Sequence, residues 1–282
     1  MSLLATPTLL TLPAELRNLI YAYLFPSHDP TAQPVIYLTS DGAPALPPPH
    51  ASSLLVTCRT FYNEAQLIYH SNTATTLQSA HVKPETFHTI VKPLSPVQQS
   101  HLRYVTVRSK IQALRAMNEC WNGRPFDNCN LQLDQLTIVP QRPDATFEAY
   151  AEVADLSQSH TLAYILAETF KNLRGVKVVR VRNEGCFNDL VWRLVYRSLV
   201  YRLWRWGGGS CGLGFREDRN ENWFDVLFGF EGEEKEGIQK WCDVKTEVDR
   251  LIGDRTPSFV GIGMGAANSG VARLNVPTGL DV

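Results

Sequence analysis

The stretch from Thr161 to Arg182, TLAYILAETFKNLRGVKVVRVR, changes character in mid-course. Thr161 to Asn172 reads as a helix, and Val176 to Arg182 runs apolar with β-branched residues, as strands do. Leu102 to Arg108 and Leu133 to Val139 share that strand character. Ile111 to Trp121 reads as a helix between them, and a shorter helix is expected near Phe147 to Leu156. Strand, helix, strand, helix, strand predicts right-handed β-α units on a parallel sheet.

Toward the C-terminus, Phe187 to Trp206 is a further helical stretch, ended by Gly207, Gly208 and Gly209. Asn222 to Phe230 reads as a short strand or helix, Glu231 to Gly237 as an acidic turn, and Ile238 to Ile252 as a last helix. From Thr256 onward, glycine and small residues predict a flexible tail. Toward the N-terminus, Pro13 to Phe25 reads as a helix. Leu12, Leu16, Leu19, Ile20, Tyr23 and Leu24 recur at helical spacing. Thr11 can cap its start, and Pro13 fits its first turn. Pro26 stops it. Six prolines then crowd the loop from Ser27 to His50, where only Val35 to Leu38 can form a strand. Ser52 to Tyr69 carries the most regular helical pattern in the chain: Leu54, Leu55, Cys58, Phe61, Tyr62, Ala65, Ile68 and Tyr69.

The chain has 282 residues, 44% of them hydrophobic, enough for a sizeable core. A net charge of -1 gives no global pull toward nucleic acid or an acidic membrane. The charge is unevenly spread. Lys171 to Arg205 holds nine basic and two acidic residues, a net of +7, whereas Glu217 to Asp249 holds eleven acidic and four basic, a net of -7. Mutual neutralisation in the fold is one reading; an exposed basic partner surface is the other. The six cysteines form no Cys-x-x-Cys pair, and residues 1–12 lack the basic start of a secretory leader. Reduced cysteines in an intracellular protein are therefore expected. No run of apolar residues is long enough to span a membrane.

Two motifs then stand in order. Leu12-Pro13-Ala14-Glu15-Leu16, with Ile20 four residues on, resembles the opening of an F-box. Leu54-Leu55-Val56-Thr57-Cys58-Arg59, followed by Tyr69-His70-Ser71-Asn72, resembles the fungal F-box-like branch in particular. The resemblance covers roughly residues 10–78, with a looser similarity at Leu102 to Arg108. The chain departs from the pattern in the Pro-rich insert and in Thr73 to Leu77, which lacks the usual aromatic residues. An F-box is a small helical bundle that docks apolar residues into the linker subunit of a cullin-based ubiquitin ligase. The resemblance thus implies a partner surface at Leu12, Pro13, Leu16, Ile20 and Leu24, with Cys58, Arg59, Phe61, Tyr62 and Glu64 holding the second helix in place. The bland reading of the same stripe is packing against that second helix. Arg59 is expected to bridge to a carboxylate on the first helix.

Patterns of catalysis are weak. Gly261-Ile262-Gly263-Met264-Gly265-Ala266 has neither a strand before it nor a helix after it, as a dinucleotide loop needs. Gly207 to Gly214 lacks the Lys-Ser/Thr of a phosphate loop. No two of the seven histidines lie four residues apart, and none neighbours a cysteine in a ligand-like pattern. Gly-x-Ser-x-Gly is absent. From Trp192 to Trp206, arginines interleave with aromatic residues. Stacking on bases or a membrane interface is one reading. A helix covering the sheet, its arginine stems packed and heads exposed, is the other.

The expectation is thus a mixed α+β chain. Residues 1–80 form an F-box-like helical module with its Pro-rich insert over 27–50. An irregular β-α region over 81–255 follows, with a short parallel sheet or a degenerate leucine-rich-repeat-like stack. A Gly-rich tail spans 256–282. The expected function is non-catalytic protein interaction, as a ligase adaptor. A stand-alone scaffold and an enzyme with a site built from distant residues are the alternatives. No cofactor, metal, nucleic acid or membrane span is expected.

Overall fold

In a computed structural model, residues 9–25, 35–38, 51–78, 82–142, 151–207, 212–230 and 241–253 are described. The expected tail, most of the Pro-rich insert, the acidic turn Glu231 to Gly237 and Gly261 to Ala266 lie outside them. The elements run α1 (Ala14–Leu24), β1 (Val35–Leu38), α2 (Ala51–Thr57), α3 (Arg59–Asn72), β2 (Ala74–Gln78), α4 (Pro84–Val91), α5 (Pro96–Ser100), β3 (Tyr104–Lys110), α6 (Ile111–Leu114), α7 (Ala116–Cys120), β4 (Leu133–Gln141), α8 (Ala151–Asn172), β5 (Val176–Arg182), α9 (Asp189–Gly207), β6 (Leu213–Asp218), β7 (Trp223–Phe228), β8 (Cys242–Asp243) and α10 (Val244–Gly253).

One mixed sheet joins the strands in the order β1-β2-β3-β4-β5-β7-β6-β8. The first five pair in parallel and in chain order, as the β-α units predict. Such an order has a consequence. Right-handed crossovers that always step in one direction lay their helices on one face of the sheet. Burial agrees. Along β3, Val105, Val107 and Ser109 are buried, while Tyr104, Thr106, Arg108 and Lys110 are only half-buried. Val105, Val107, Leu136, Ile138, Val179 and Val181 share one core with Leu162, Ile165, Leu166 and Phe170 of α8 and with Val195, Leu199 and Leu203 of α9. α9 is therefore a helix that covers the sheet. Trp192 and Tyr196 are buried beneath it, while Arg193 and Arg205 reach solvent.

The sheet is larger than the expected short parallel one. Ala74–Gln78, within a stretch noted only for its missing aromatics, is a parallel strand whose Ala74, Thr75, Thr76 and Leu77 are buried. At the other edge three antiparallel strands are added. Asn222 to Phe230 resolves into strand rather than helix because the hairpin turn before it is built for the purpose. Asp218 Oδ1 accepts from the backbone N–H groups of Asn220 and Glu221, and Asn222 takes the left-handed conformation at φ 54°.

Three helical expectations are corrected. Ser52 to Tyr69 is two helices, because Cys58 is extended (φ -157°, ψ 161°) and serves as the residue before α3. Thr57 Oγ1 donates to the Leu54 carbonyl and ends α2. The helix near Phe147 to Leu156 and that of Thr161 to Asn172 are one element, α8. The last helix starts at Val244, not Ile238. Asp243 accepts from Thr246 N at 2.8 Å and from Thr246 Oγ1 at 2.9 Å, an N-cap that sets the boundary and holds the Asp243 carboxyl below its usual range.

The oppositely charged blocks meet inside the fold. Arg180 of β5 clasps Asp225 of β7 through two hydrogen bonds, at 2.7 and 2.9 Å. Arg216 of β6 reaches the same carboxylate at 2.5 Å. Both guanidiniums lie against the Trp223 ring, at 4.1 and 5.2 Å from its centre.

Candidate functional site

α1 and α3 form a small cluster of their own, with Tyr21, Phe25, Ala65 and Tyr69 buried at its centre. Phe25 meets Tyr69 edge-on at 5.3 Å, and Tyr21 meets Phe61 at 6.4 Å. A polar clamp locks the crossing. Arg17 Nε and Nη2 donate to Glu64 at 2.8 and 2.7 Å, and Tyr21 Oη donates to the same carboxylate at 2.9 Å. Arg17 Nη1 donates to the Leu10 and Leu12 carbonyls just before α1. At the far end, Asn72 Nδ2 donates to the Phe25 carbonyl at 2.7 Å. Arg17 holds the Glu64 carboxyl below its ordinary range, and burial pushes the Tyr21 hydroxyl up.

The clamp decides which side of α1 faces outward. Arg17 and Tyr21 are one turn apart and turn toward α3. Leu16, Leu19 and Tyr23 then fall on the other side. They are 46%, 67% and 85% exposed, and Leu24 is 44% exposed. Leu10, just before α1, is exposed as well. Ile20 and Leu12 are half-buried and Pro13 is exposed. Most of the α1 stripe is thus not internal packing. The bland reading fails at Leu16, Leu19, Tyr23 and Leu24.

Other expected residues land differently. The bridge between the helices is Arg17–Glu64, not one from Arg59, which is exposed. Arg59 opens α3, and the α3 position that faces α1 is Glu64, beside Phe61 and Ala65. Glu64 accepts from both Arg17 and Tyr21 across the two helices, and Phe61 packs on the small core. Tyr62 points outward, its hydroxyl accepting from Gln98 Nε2 at 3.2 Å. Cys58 breaks the helix instead of packing along it. Pro13, not Thr11, is the residue that precedes α1. Four-residue spacing does not by itself say that Arg17 and Tyr21 are the polar residues of α1 that find a partner on α3.

His70, near the end of α3, is pushed down to about 4 by burial and by the neighbouring His101. In the unfolded chain its imidazole titrates near 6.5. Protonation therefore favours unfolding. The stability is fully present above pH 6.5 and is lost as pH falls toward 4. The expected loss is about 3 kcal/mol at most. A His70→Gln variant should show a flatter stability profile between these limits in denaturant melts. An unchanged slope would remove His70 as the cause.

Elsewhere, a groove of about 950 Å³ lies between α7 and α8. Its polar groups answer one another: Thr169 Oγ1 donates to Asn118 at 2.5 Å, and Lys171 pairs with Glu168 at 2.8 Å. Among the described residues, no group of three or more histidine, cysteine, aspartate or glutamate side chains could hold a metal ion. Among them, no helix is long and apolar enough to cross a membrane. Compared with known protein families, with characterised proteins and with solved structures, the chain matches none.

Proposed function

We propose that this chain is a non-catalytic interaction protein that docks a protein partner on the outer face of α1, in the manner of an F-box-like adaptor engaging the linker subunit of a cullin-based ubiquitin ligase. The observation that carries the proposal is the exposed row Leu16, Leu19 and Tyr23 on a helix whose other side is clamped by Arg17 and Glu64. Exposed apolar residues scattered singly need no explanation, whereas a row along one rigid helix marks a partner. Pro13 and Leu24 close the two ends of that row. The polar clamp lets the face remain apolar without costing the helix its anchorage. In this reading the residues of the sheet recognise a target, and the α1 face connects that target to the ligase.

Co-expression with the linker subunit tests it. The wild-type chain should co-purify with the linker. A Leu19→Asp, Tyr23→Asp variant should lose the complex by at least about 100-fold, since each substitution places a charge in an apolar contact. Its melting temperature should match wild type, because both side chains are exposed. A wild-type chain that never co-purifies, or a variant that binds as well, would sink the adaptor reading.

A further inference from the structure

We infer that the outer face of α9, with Tyr164 of α8 beside it, docks on a membrane surface rich in anionic lipid. The helix has two distinct sides. Val191, Val195, Leu199 and Leu203 are buried in the main core. Leu190, Arg193, Arg197, Tyr201, Trp204 and Arg205 fall within an arc of about 120° on the opposite side. Arg197 is half-buried and the other five are exposed, Leu190 most of all at 73%. From Leu190 to Trp204 the row runs about 21 Å along the helix.

The charge along this row is of one sign. Residues 190–207 hold four arginines and no acidic residue. Among the described residues, Arg193 and Arg205 make no ion pair. Asp189, at the helix start, accepts from Asn222 Nδ2 at 3.3 Å. On α8, one turn beyond Tyr164, Glu168 is already answered by Lys171 at 2.8 Å. The aromatic residues stand among the arginines. The Arg202 guanidinium lies 5.7 Å from the centre of the Tyr164 ring, which places α8 beside this side of α9. The Tyr201 and Trp204 rings are 5.8 Å apart, and Arg205 Nη1 donates to the Tyr201 hydroxyl at 3.5 Å.

The mixture of side chains selects the occupant. Tyrosine and tryptophan, each an apolar ring with a polar tip, settle at the headgroup level of a bilayer. Arginine heads at that level meet lipid phosphates while their stems lie among apolar groups. Leu190 supplies an apolar side chain that enters the acyl boundary. Single-stranded nucleic acid would use open ring faces instead. Arg202 lies over the Tyr164 ring, the Tyr201 and Trp204 rings pack on each other, and Leu190 contributes nothing to stacking. Only side chains enter the membrane, because the inner side of α9 is held in the main core. The docking is peripheral, with the helix lying along the surface.

This surface lies on α8 and α9 and not on α1, and its test uses the full chain without the linker subunit, so it stands or falls independently of linker docking. The probes are vesicles of about three parts phosphatidylcholine to one part phosphatidylserine, vesicles of phosphatidylcholine alone, a glutamate-rich peptide and a single-stranded DNA. The chain should sediment with the anionic vesicles and not with the neutral ones. Raising salt should weaken that binding about 10-fold. An Arg193→Glu, Arg205→Glu variant, changed only at exposed side chains, should lose at least about 10-fold in affinity with an unaltered melting temperature. Leu190→Ser keeps every charge and should still weaken vesicle binding by about 5-fold, since it removes an inserted apolar side chain. Should the double variant misfold, Leu190→Ser alone decides. Failure to bind the anionic vesicles, equal binding to neutral ones, undiminished binding by the variants, or tighter binding of the peptide or the DNA would each overturn the inference.

Discussion

Replacing Asp225 with alanine should lower the stability of this protein by about 3–5 kcal/mol. The carboxylate is fully buried between β5, β6 and β7, and it accepts from Arg180 Nε, Arg180 Nη2 and Arg216 Nη2. Arg180 itself is only 8% exposed, so alanine would leave a buried guanidinium facing nothing of opposite charge. The attraction of the triad is not its net worth. Taking three charges out of water costs several kcal/mol per ion, which their mutual contacts largely offset. Removing one partner destroys the offset and keeps the cost. An Arg180→Met, Asp225→Leu double variant should therefore be more stable than Asp225→Ala alone. The single substitution should lower the melting temperature by about 6–20 °C in a chain of this size. A loss below about 1 kcal/mol would mean that water reaches the arginines and the triad is effectively exposed.

Phe126→Ala should cost a comparable amount, about 3–5 kcal/mol. Phe126 is fully buried, stacked on Phe87 at 4.0 Å and tilted against Trp121 at 4.7 Å. Trp121 is fixed in turn by its indole N–H, which donates to the Val82 carbonyl at 2.8 Å. Three aromatic side chains from two segments, α4 and the loop after α7, thus close one corner of the main core. The backbone adds a second signature. Phe126 sits at φ 54° and ψ 24°, the left-handed region that a bulky residue occupies at a cost of about 1–2 kcal/mol. Alanine loses the ring and keeps that strain, whereas glycine loses the ring and relieves it. Phe126→Gly should therefore be no less stable than Phe126→Ala, the reverse of the usual order in regular structure. Denaturant melts of the two variants decide it. A glycine variant clearly weaker than the alanine variant would show that the turn tolerates the conformation without strain.

Gly123, in the loop between Trp121 and Phe126, makes the neighbouring turn legible only in three dimensions. Its φ is 81°, and a side-chain carbon there would stand 2.9 Å from the Asn172 carbonyl oxygen. The loop after α7 and the end of α8 touch backbone to backbone, with Arg174 N donating to the Gly123 carbonyl at 2.7 Å. Nothing in the spacing of residues 121–124 announces that approach, since its cause lies fifty residues along the chain.

The candidate site divides in the same way. The helices of the N-terminal segment are visible in their periodicity. Which residues of α1 face α3 is not, because the apolar stripe Leu12, Leu16, Leu19, Ile20, Tyr23 and Leu24 is a plausible inner face when the helix is considered alone. The Arg17–Glu64 clamp and the buried Tyr21 and Phe25 turn it outward. Likewise, the charge blocks of +7 and -7 are plain in the chain. Only strand register shows that Arg180 and Asp225 are opposite one another.

Local chemistry by itself determined the type and approximate place of most elements. β-Branched runs made β3, β4 and β5, three-four spacing made α3, α8 and α9, and the alternation of the two made a parallel sheet. Those signals are short-range, and they act before the chain has a shape. Tertiary structure alone decided the antiparallel edge and the exposed side of α1. Each depends on which partner wins a residue from a distant segment. Burial energy belongs to the pair and not to either residue, so no reading of one stretch by itself can assign it.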